Sequence, residues 1–408
     1  MKSDIEFLMQ EKGIDSLIIM GKPKGNPSML YFTGNIKLLD SIVVIKKGEK
    51  PLLIHSAIDR DEAKKSGLPT ADYNYFELYE IKARNKQERN IATLVKIIKK
   101  MEIRGTVAFY GTMDLSRGYP LLKHLDTHVN EIKIFEEPTT DIISIARTTK
   151  DKKEIESIKK TGTRTVAVMR GIKDFLQHLY IKRDTVVDKS GSHITIGEIK
   201  RIISQEMFNR ELSEEVDTIC SLGKDSAVPH SYGNNQQILK AGETLIIDIF
   251  PRSRESGYFF DMSRTFCLGF LPDEVKDIYG DVLDALKSVE KNLKIHTTAD
   301  SYHQQVCQLF ESRGYKTILN YPASDEGFVH SLGHGIGLDL HERPFFSSAD
   351  PAEKLLPGMV FTLEPGLYFP KKALGIRIED VYYMADNGKI ENLTNFSRDI
   401  FIPLNKYR

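Results

Sequence analysis

The stretch Ser331-Leu332-Gly333-His334-Gly335-Ile336-Gly337-Leu338-Asp339-Leu340-His341-Glu342-Arg343-Pro344 sets two histidines among three glycines. Glycine at this density lets a backbone turn sharply and pass close to whatever the histidines hold. Imidazole is the commonest metal ligand and a frequent general acid or base, so a glycine-framed pair points to a site. The same residues also read as a polar surface loop that happens to carry two histidines. Acidic residues elsewhere in the chain decide between the two.

Leu245-Ile246-Ile247-Asp248-Ile249-Phe250 is a nearly all-apolar strand with one aspartate in its middle, and Tyr258–Phe266 puts Asp261 in an equally apolar setting. A buried carboxylate is costly unless it is paired with a charge or a metal. The intervening Pro251–Gly257 is turn chemistry, so the two strands are expected to form an antiparallel hairpin. Folded symmetrically about Arg254–Glu255, the hairpin sets Asp248 directly opposite Asp261, where the two charges repel unless a cation bridges them. Pairing with Arg252, Arg254 or Arg264 is the alternative, although alternation sends Arg264 to the other face.

A second pair of acids lies near the end of the chain. Glu364 closes the apolar run Val360–Leu363, and Gly375–Tyr382 alternates so that Arg377, Glu379 and Val381 share one face. Singly, Glu364 reads as a strand-end surface charge and Glu379 as a partner of Arg377. Together, four isolated acids in four apolar strands point to one shared site. The charges of Asp248, Asp261, Glu364 and Glu379 balance two divalent cations, with His334 as a neutral fifth ligand. Oxygen-rich ligands with one imidazole suit manganese, cobalt, iron or zinc. Such a pair acidifies water and polarises a carbonyl. Arg377, on the same face as Glu379, is placed to brace that carboxylate or a neighbouring acid.

The rest of the chain is the setting for this site. At 408 residues two domains are expected, and the charged stretch Arg147–Lys153 marks the boundary. Residues 1–147 alternate strands (Ser16–Met20, Ser41–Lys46, Leu52–His55, Thr106–Tyr110) with helices (Asp59–Ser66, Gln87–Met101), the pattern of a mostly parallel α/β sheet, with a turn at Tyr31–Gly34. In residues 148–408 a helix pair and then strands occur twice: Lys153–Leu179 and Ile196–Arg210, then Pro272–Lys294 and Asp300–Arg313. That order suggests two related halves closing on one sheet system. Lys+Arg and Asp+Glu each number 57, which leaves no basic excess for nucleic acid or an anionic membrane. Three scattered cysteines, acids throughout the first twenty residues and no membrane-length apolar run lead us to expect a cytoplasmic protein.

With these residues in view, the sequence resembles the pita-bread hydrolases, the family of methionine aminopeptidase, Xaa-Pro aminopeptidase, prolidase and creatinase. Asp248, Asp261, His334, Glu364 and Glu379 match its five metal ligands in order. His230, in Pro-His-Ser-Tyr-Gly, and His341, in His-Glu-Arg-Pro, match its substrate-side histidines, and His330 matches a further active-site histidine of the prolyl branch. Glu-Pro-Gly-Leu-Tyr after Glu364, Gly-Ile-Arg-Ile-Glu-Asp around Glu379 and the amino-terminal Tyr-Phe-Thr-Gly resemble that branch. The resemblance implies a creatinase-type α/β amino-terminal domain, an α+β pita-bread catalytic domain with a pseudo-twofold repeat, and two divalent metals, manganese first. It also implies a homodimer acting on proline-containing peptides, with Glu364 as proton acceptor and His230 and His341 binding the substrate backbone. Ile-Phe-Pro-Arg after Asp248 and a 13-residue interval to Asp261 depart from the family pattern. The reading is an aminopeptidase of Xaa-Pro peptides, with a dipeptidase as its alternative and a non-peptide hydrolase or lyase behind both. Phe345–Leu363 contains no arginine to anchor the free carboxylate of a dipeptide, which favours longer peptides.

Overall fold

Ser16–Met20 lies at the middle of a six-stranded sheet ordered Thr70–Asp72, Leu52–His55, Ser41–Lys46, Ser16–Met20, Gly105–Gly111 and Ile132–Ile134. The computed structural model describes residues 1–137, 140–348 and 352–408, in two units, Met1–Arg147 and Thr148–Arg408. In the first unit the sheet is mixed rather than mostly parallel. Ser41–Lys46 runs antiparallel to both neighbours, while the other three pairings are parallel. The connection 47–51 from Ser41–Lys46 to Leu52–His55 is too short for a crossover, so those strands turn back on each other. Helix Lys86–Lys100, capped by Asn85, buries Leu94, Ile97 and Ile98 against the sheet.

Tyr31–Thr33 is helical rather than a turn. Helix Pro27–Thr33 starts with proline in its first turn and with the Asn26 side chain accepting from Met29 N at 3.1 Å. Gly34, at φ 69°, ends it. The informative signal was Asn26-Pro27, a cap followed by a residue already fixed at helical φ.

In the second unit each helix pair covers its own sheet. Helices Lys152–Gln177 and Ile196–Asn209 both open with a capping box, Asp151 with Glu154 and Thr195 with Glu198. Their apolar faces, including Met169, Ile172 and Ile203, pack on Leu245, Ile247 and Phe266. The sheet beneath them is ordered Ile219–Leu222, Thr244–Ile249, Met262–Leu268, Phe401–Ile402. Helices Asp273–Asn292 and Ala299–Ser312 put Leu286, Val289, Val306 and Phe310 against Phe346, Phe361 and Tyr382. Their sheet is ordered Glu342–Phe346, Gly333–Gly335, Val360–Leu363, Asp380–Met384, Ile390–Asn392. The helix-pair-and-sheet unit therefore recurs, but on two sheets and not on one continuous sheet. They meet where Ser263 bridges Glu379, beside the ribbon Gly366–Phe369/Leu374–Arg377. No helix among the described residues is long and apolar enough to cross a membrane.

One close contact between helix and hairpin lies next to Asp261. Gly162, on the long helix, lies against the fully buried ring of Phe260, and a Cβ there would collide with that ring. Gly162→Ala gains up to about 1 kcal/mol of helix propensity but overpacks the contact at about 1–3 kcal/mol. We expect a net destabilisation of about 1–2 kcal/mol in urea unfolding; a midpoint at or above wild type would mean that the ring moves freely.

Candidate metal centre

The hairpin brings the two aspartates together, with a register different from the symmetric fold about Arg254–Glu255. Asp248 pairs with Ser263, two residues beyond Asp261. The tip spans Arg254–Gly257 rather than two residues: Ser253 N donates to Tyr258 O at 2.9 Å, and Gly257 takes φ 82°. A shift of two keeps side-chain parity, so Asp248 and Asp261 still face the same side, diagonally rather than directly opposite. The nearby arginines are placed differently from the alternative pairing. Arg264 turns away to Asp380 at 2.7 Å, and Arg252 lies 3.6 Å from Glu215. It is Arg377 that reaches Asp248, with Nη2 2.6 Å from Oδ2.

Glu364 follows directly on Val360–Leu363, its amide donating to Leu332 O at 2.8 Å. Glu379 sits where the two sheets meet, its amide donating to Ser263 O at 3.1 Å. Asp261, His334 and Glu379 each offer a ligand atom, all within 4.8 Å of one another. His334 Nε2 lies 3.8 Å from Asp261 Oδ2 and 3.6 Å from Glu364 Oε1. Its Nδ1 lies 3.0 Å from Gly335 O, so Nδ1 carries the proton and Nε2 turns a lone pair to the acids.

Whether these residues fit a metal is tested by what the carboxylates lack. Asp248 Oδ1, Asp261 Oδ1 and Glu379 Oε1 are buried with no hydrogen-bond donor from the protein. Burial raises the carboxyl of Asp261, and the charges of Asp248 and Glu364 add to it. Burial likewise raises Glu379, with Asp261 the foremost like charge. Glu364 is pushed up to about 8 by burial, against the pull of Arg377. Three acceptors without donors, beside an imidazole lone pair, fit divalent cations and suit no neutral hydrogen-bond network.

The cavity in front of the cluster has a volume of about 710 Å³. His230, His330 and His341 all line it, as do Asp248, Asp261, His334, Glu364, Arg377 and Glu379. His341 meets His334 edge to face, with ring centroids 4.2 Å apart, and burial holds its pKa below the ordinary histidine value. His230 is exposed. Burial lowers His330 to about 3, and Tyr368 Oη lies 3.1 Å from its Nε2. Reading the residues for chemistry missed that tyrosine. Its hydroxyl also accepts from Arg377 Nη1 at 2.9 Å, so Arg377 braces Asp248 and Tyr368 rather than Glu379. Tyr368 stands two residues after Gly366, and that alternation was the available signal.

The Peptidase_M24 model, metallopeptidase family M24, matches residues 156–386. The chain belongs to this family. It is 28% identical to an Xaa-Pro dipeptidase of Pyrococcus furiosus, over 98% of this chain and 100% of that one. It is 30% identical to an uncharacterized peptidase of Methanocaldococcus jannaschii, over 93% of this chain and 91% of that one. The crystal structure of an X-Pro aminopeptidase from Thermotoga maritima superposes with a TM-score of 0.75 at 26% identity, over 96% of this chain and 98% of that one. The pita-bread fold inferred from sequence is thus the fold of this M24 metallopeptidase.

Two experiments test the centre. His334→Ala is expected to lose metal, whereas His341→Ala keeps its metal content and loses about a hundred- to a thousandfold in turnover. Equal metal loss in both would reassign the histidines. Metal binding must also displace protons from the raised carboxyls, so affinity rises with pH. In the metal-free protein, protonated Glu364 contributes stability that is complete below its unfolded pKa of about 4.3. That contribution is lost as pH rises through the folded value of about 8. Calorimetric titration with manganese at pH 7 should give heats that depend on the buffer's ionisation enthalpy; heats independent of buffer would exclude the coupling.

Proposed function

We propose that this metallopeptidase removes an N-terminal residue that precedes proline. The observation that carries the reading is the set of donor-less buried carboxylate oxygens opening on a cavity lined by His230, His330 and His341. The names of its relatives, an Xaa-Pro dipeptidase and an X-Pro aminopeptidase, point to the same bond. Asp248, Asp261, His334, Glu364 and Glu379 would hold two divalent cations, manganese in first place and cobalt, zinc or iron as alternatives. Those cations would supply an acidified water nucleophile and Lewis-acid polarisation of the scissile carbonyl.

The chain's own residues do the remaining work. Glu364, a carboxylate beside the cluster, accepts the proton from the attacking water, and bound positive charge favours its ionised form. His341, neutral at pH 7, donates to the carbonyl oxygen, and His230 holds the leaving-side backbone. Arg377 aligns Asp248 by a direct hydrogen bond and holds the Tyr368 hydroxyl, which in turn meets His330. Val216, Ile219, Phe250, Leu340 and Phe345 form the apolar wall against which the proline ring and the first side chain pack. The reading includes a homodimer, carried by the family resemblance, and a cytoplasmic location, which the three free cysteines favour.

Substrate length follows from the cations. Among the described lining residues Arg377 is the only lysine or arginine, and its guanidinium already serves Asp248, Tyr368, Ser263 and Pro229 O. Arg343 is bound to Glu353 at 2.8 Å, and Lys354 is exposed. Among the described residues lining the cavity no uncommitted cation is left for the carboxylate of a dipeptide, so the proposal is an aminopeptidase acting on peptides longer than two residues. The names of the dipeptidase relatives favour the other reading.

Cleavage of Xaa-Pro-Yaa-Zaa, abolished by chelation and restored by manganese, is the expected result; full activity in metal-free protein would end the metal reading. At a fixed first residue, kcat/KM is expected to be higher for the tetrapeptide than for Xaa-Pro. A preference for the dipeptide would place the carboxylate anchor elsewhere and make the protein a dipeptidase.

A further inference from the structure

Beneath the glycine-rich loop lies an ion pair buried at both ends. Lys150 Nζ is 2.6 Å from Glu342 Oε1, with side-chain exposures of 1% and 9%. The backbone holds Lys150 firmly. Its amide donates to Gly358 O at 2.9 Å, its Nζ to Thr148 O at 3.2 Å, and Thr149 bridges Met359 beside strand Val360–Leu363. Glu342 stands opposite Gly335, at the point where a bulge breaks the register after His334. Its carboxylate fills the space under Gly337, where a Cβ would collide with Oε1.

The segment 334–342 therefore folds over the Glu342 carboxylate, and it carries both histidines of the centre. Gly335 O, inside it, receives the His334 Nδ1 proton and so selects which ring nitrogen faces the acids. His341 precedes Glu342 directly, and its ring stands edge to face with that of His334. Neither Lys150 nor Glu342 lines the cavity.

We propose that Lys150 and Glu342 are positioning residues for His334 and His341. The pair pins the floor of the loop, which keeps His334 Nε2 turned to Asp261 and Glu364 and keeps the His341 ring on the cavity. This rests on the metallopeptidase reading of the site. A misplacement of about 1 Å at a reacting group costs roughly a hundredfold in rate, so a loop released from its pin should be read out in turnover. Removing one partner alone would strand a buried charge and threaten folding, whereas a neutral pair of similar volume is tolerated. The informative variants are therefore the double variant Lys150→Met with Glu342→Gln, and Glu342→Asp, which keeps both charges but shortens the tether by one methylene.

Turnover of Xaa-Pro-Yaa-Zaa is measured at saturating manganese, well below the melting temperature, with wild type assayed alongside in the presence and absence of chelator. The expected result is a fall in kcat of about tenfold or more in both variants, with KM within about twofold and metal content retained. A pair that serves stability alone would lower the melting temperature and leave kcat per folded, metal-loaded molecule at the wild-type value, which overturns the proposal. If the double variant does not fold, wild-type kcat in Glu342→Asp overturns it equally. Absence of chelator-sensitive cleavage in the wild type overturns instead the functional reading on which the proposal rests.

Discussion

Asp248, Asp261, Glu364 and Glu379 all converge on one site, and all but the partly buried Glu364 are buried. Each ionised carboxylate taken out of water costs several kcal/mol, and like charges at this range add to the cost. Among the described lining residues Arg377 is the only lysine or arginine, and it reaches just one carboxylate oxygen of the cluster, Asp248 Oδ2. Without further positive charge the cluster lowers its energy by holding protons, as the raised carboxyls of Asp261, Glu364 and Glu379 express. The surrounding fold has to hold four groups together that would otherwise separate. Strand backbones do this: Asp248 lies within a strand and Asp261, Glu364 and Glu379 each adjoin a strand end, so none can retreat without disturbing a ladder.

Arg377 and Arg264, both buried, divide that work between the faces of the sheets. Arg377 looks into the cavity and orients Asp248 and Tyr368. Arg264 looks away from it, donating to Ser263 O and Glu379 O at 2.8 Å each and to Asp380 Oδ1 at 2.7 Å. It therefore clasps the backbone at the bridge between Ser263 and Glu379, one residue from the partner of Asp248 and at the ligand candidate Glu379 itself. Asp380 binds Arg398 as well, which reaches Glu290 on helix Asp273–Asn292 at 2.6 Å. The adjacent acids Glu379 and Asp380 thus serve opposite faces, one for the centre and one for its support.

Alternation made most of the site legible before any fold was known. Parity along apolar strands placed Asp248 with Asp261 and separated Glu379 from Asp380, and parity survives a register slip of two. Tip length did not survive, because the symmetric two-residue reading of Arg254–Glu255 has no way to count Gly257 into a four-residue turn. The division into two sheets was hidden for a related reason: their junction pairs residues 263–265 with 377–379, far apart in sequence, and local pattern carries no information on it. The Lys150–Glu342 pair was invisible for the same cause, its members being far apart in sequence. Tyr31–Thr33 differs in kind: an apolar run beside a glycine reads as a turn, whereas the cap Asn26 followed by Pro27 specifies a helix.

The glycines of Ser331–Pro344 acquire their reason from this geometry. The loop has to pass between strand Val360–Leu363 on one side and its own returning segment on the other. A side chain at Gly333 would meet Thr362 O, one at Gly335 would meet Arg343 O, and one at Gly337 would meet the Glu342 carboxylate. None of the three has a positive φ, so close approach and not left-handed backbone is what excludes larger residues here. The approach is what brings His334 and His341 into edge contact while leaving Gly335 O free to take the His334 proton. The density of glycine in that stretch is therefore a consequence of packing two imidazoles and a buried ion pair into the space of one turn.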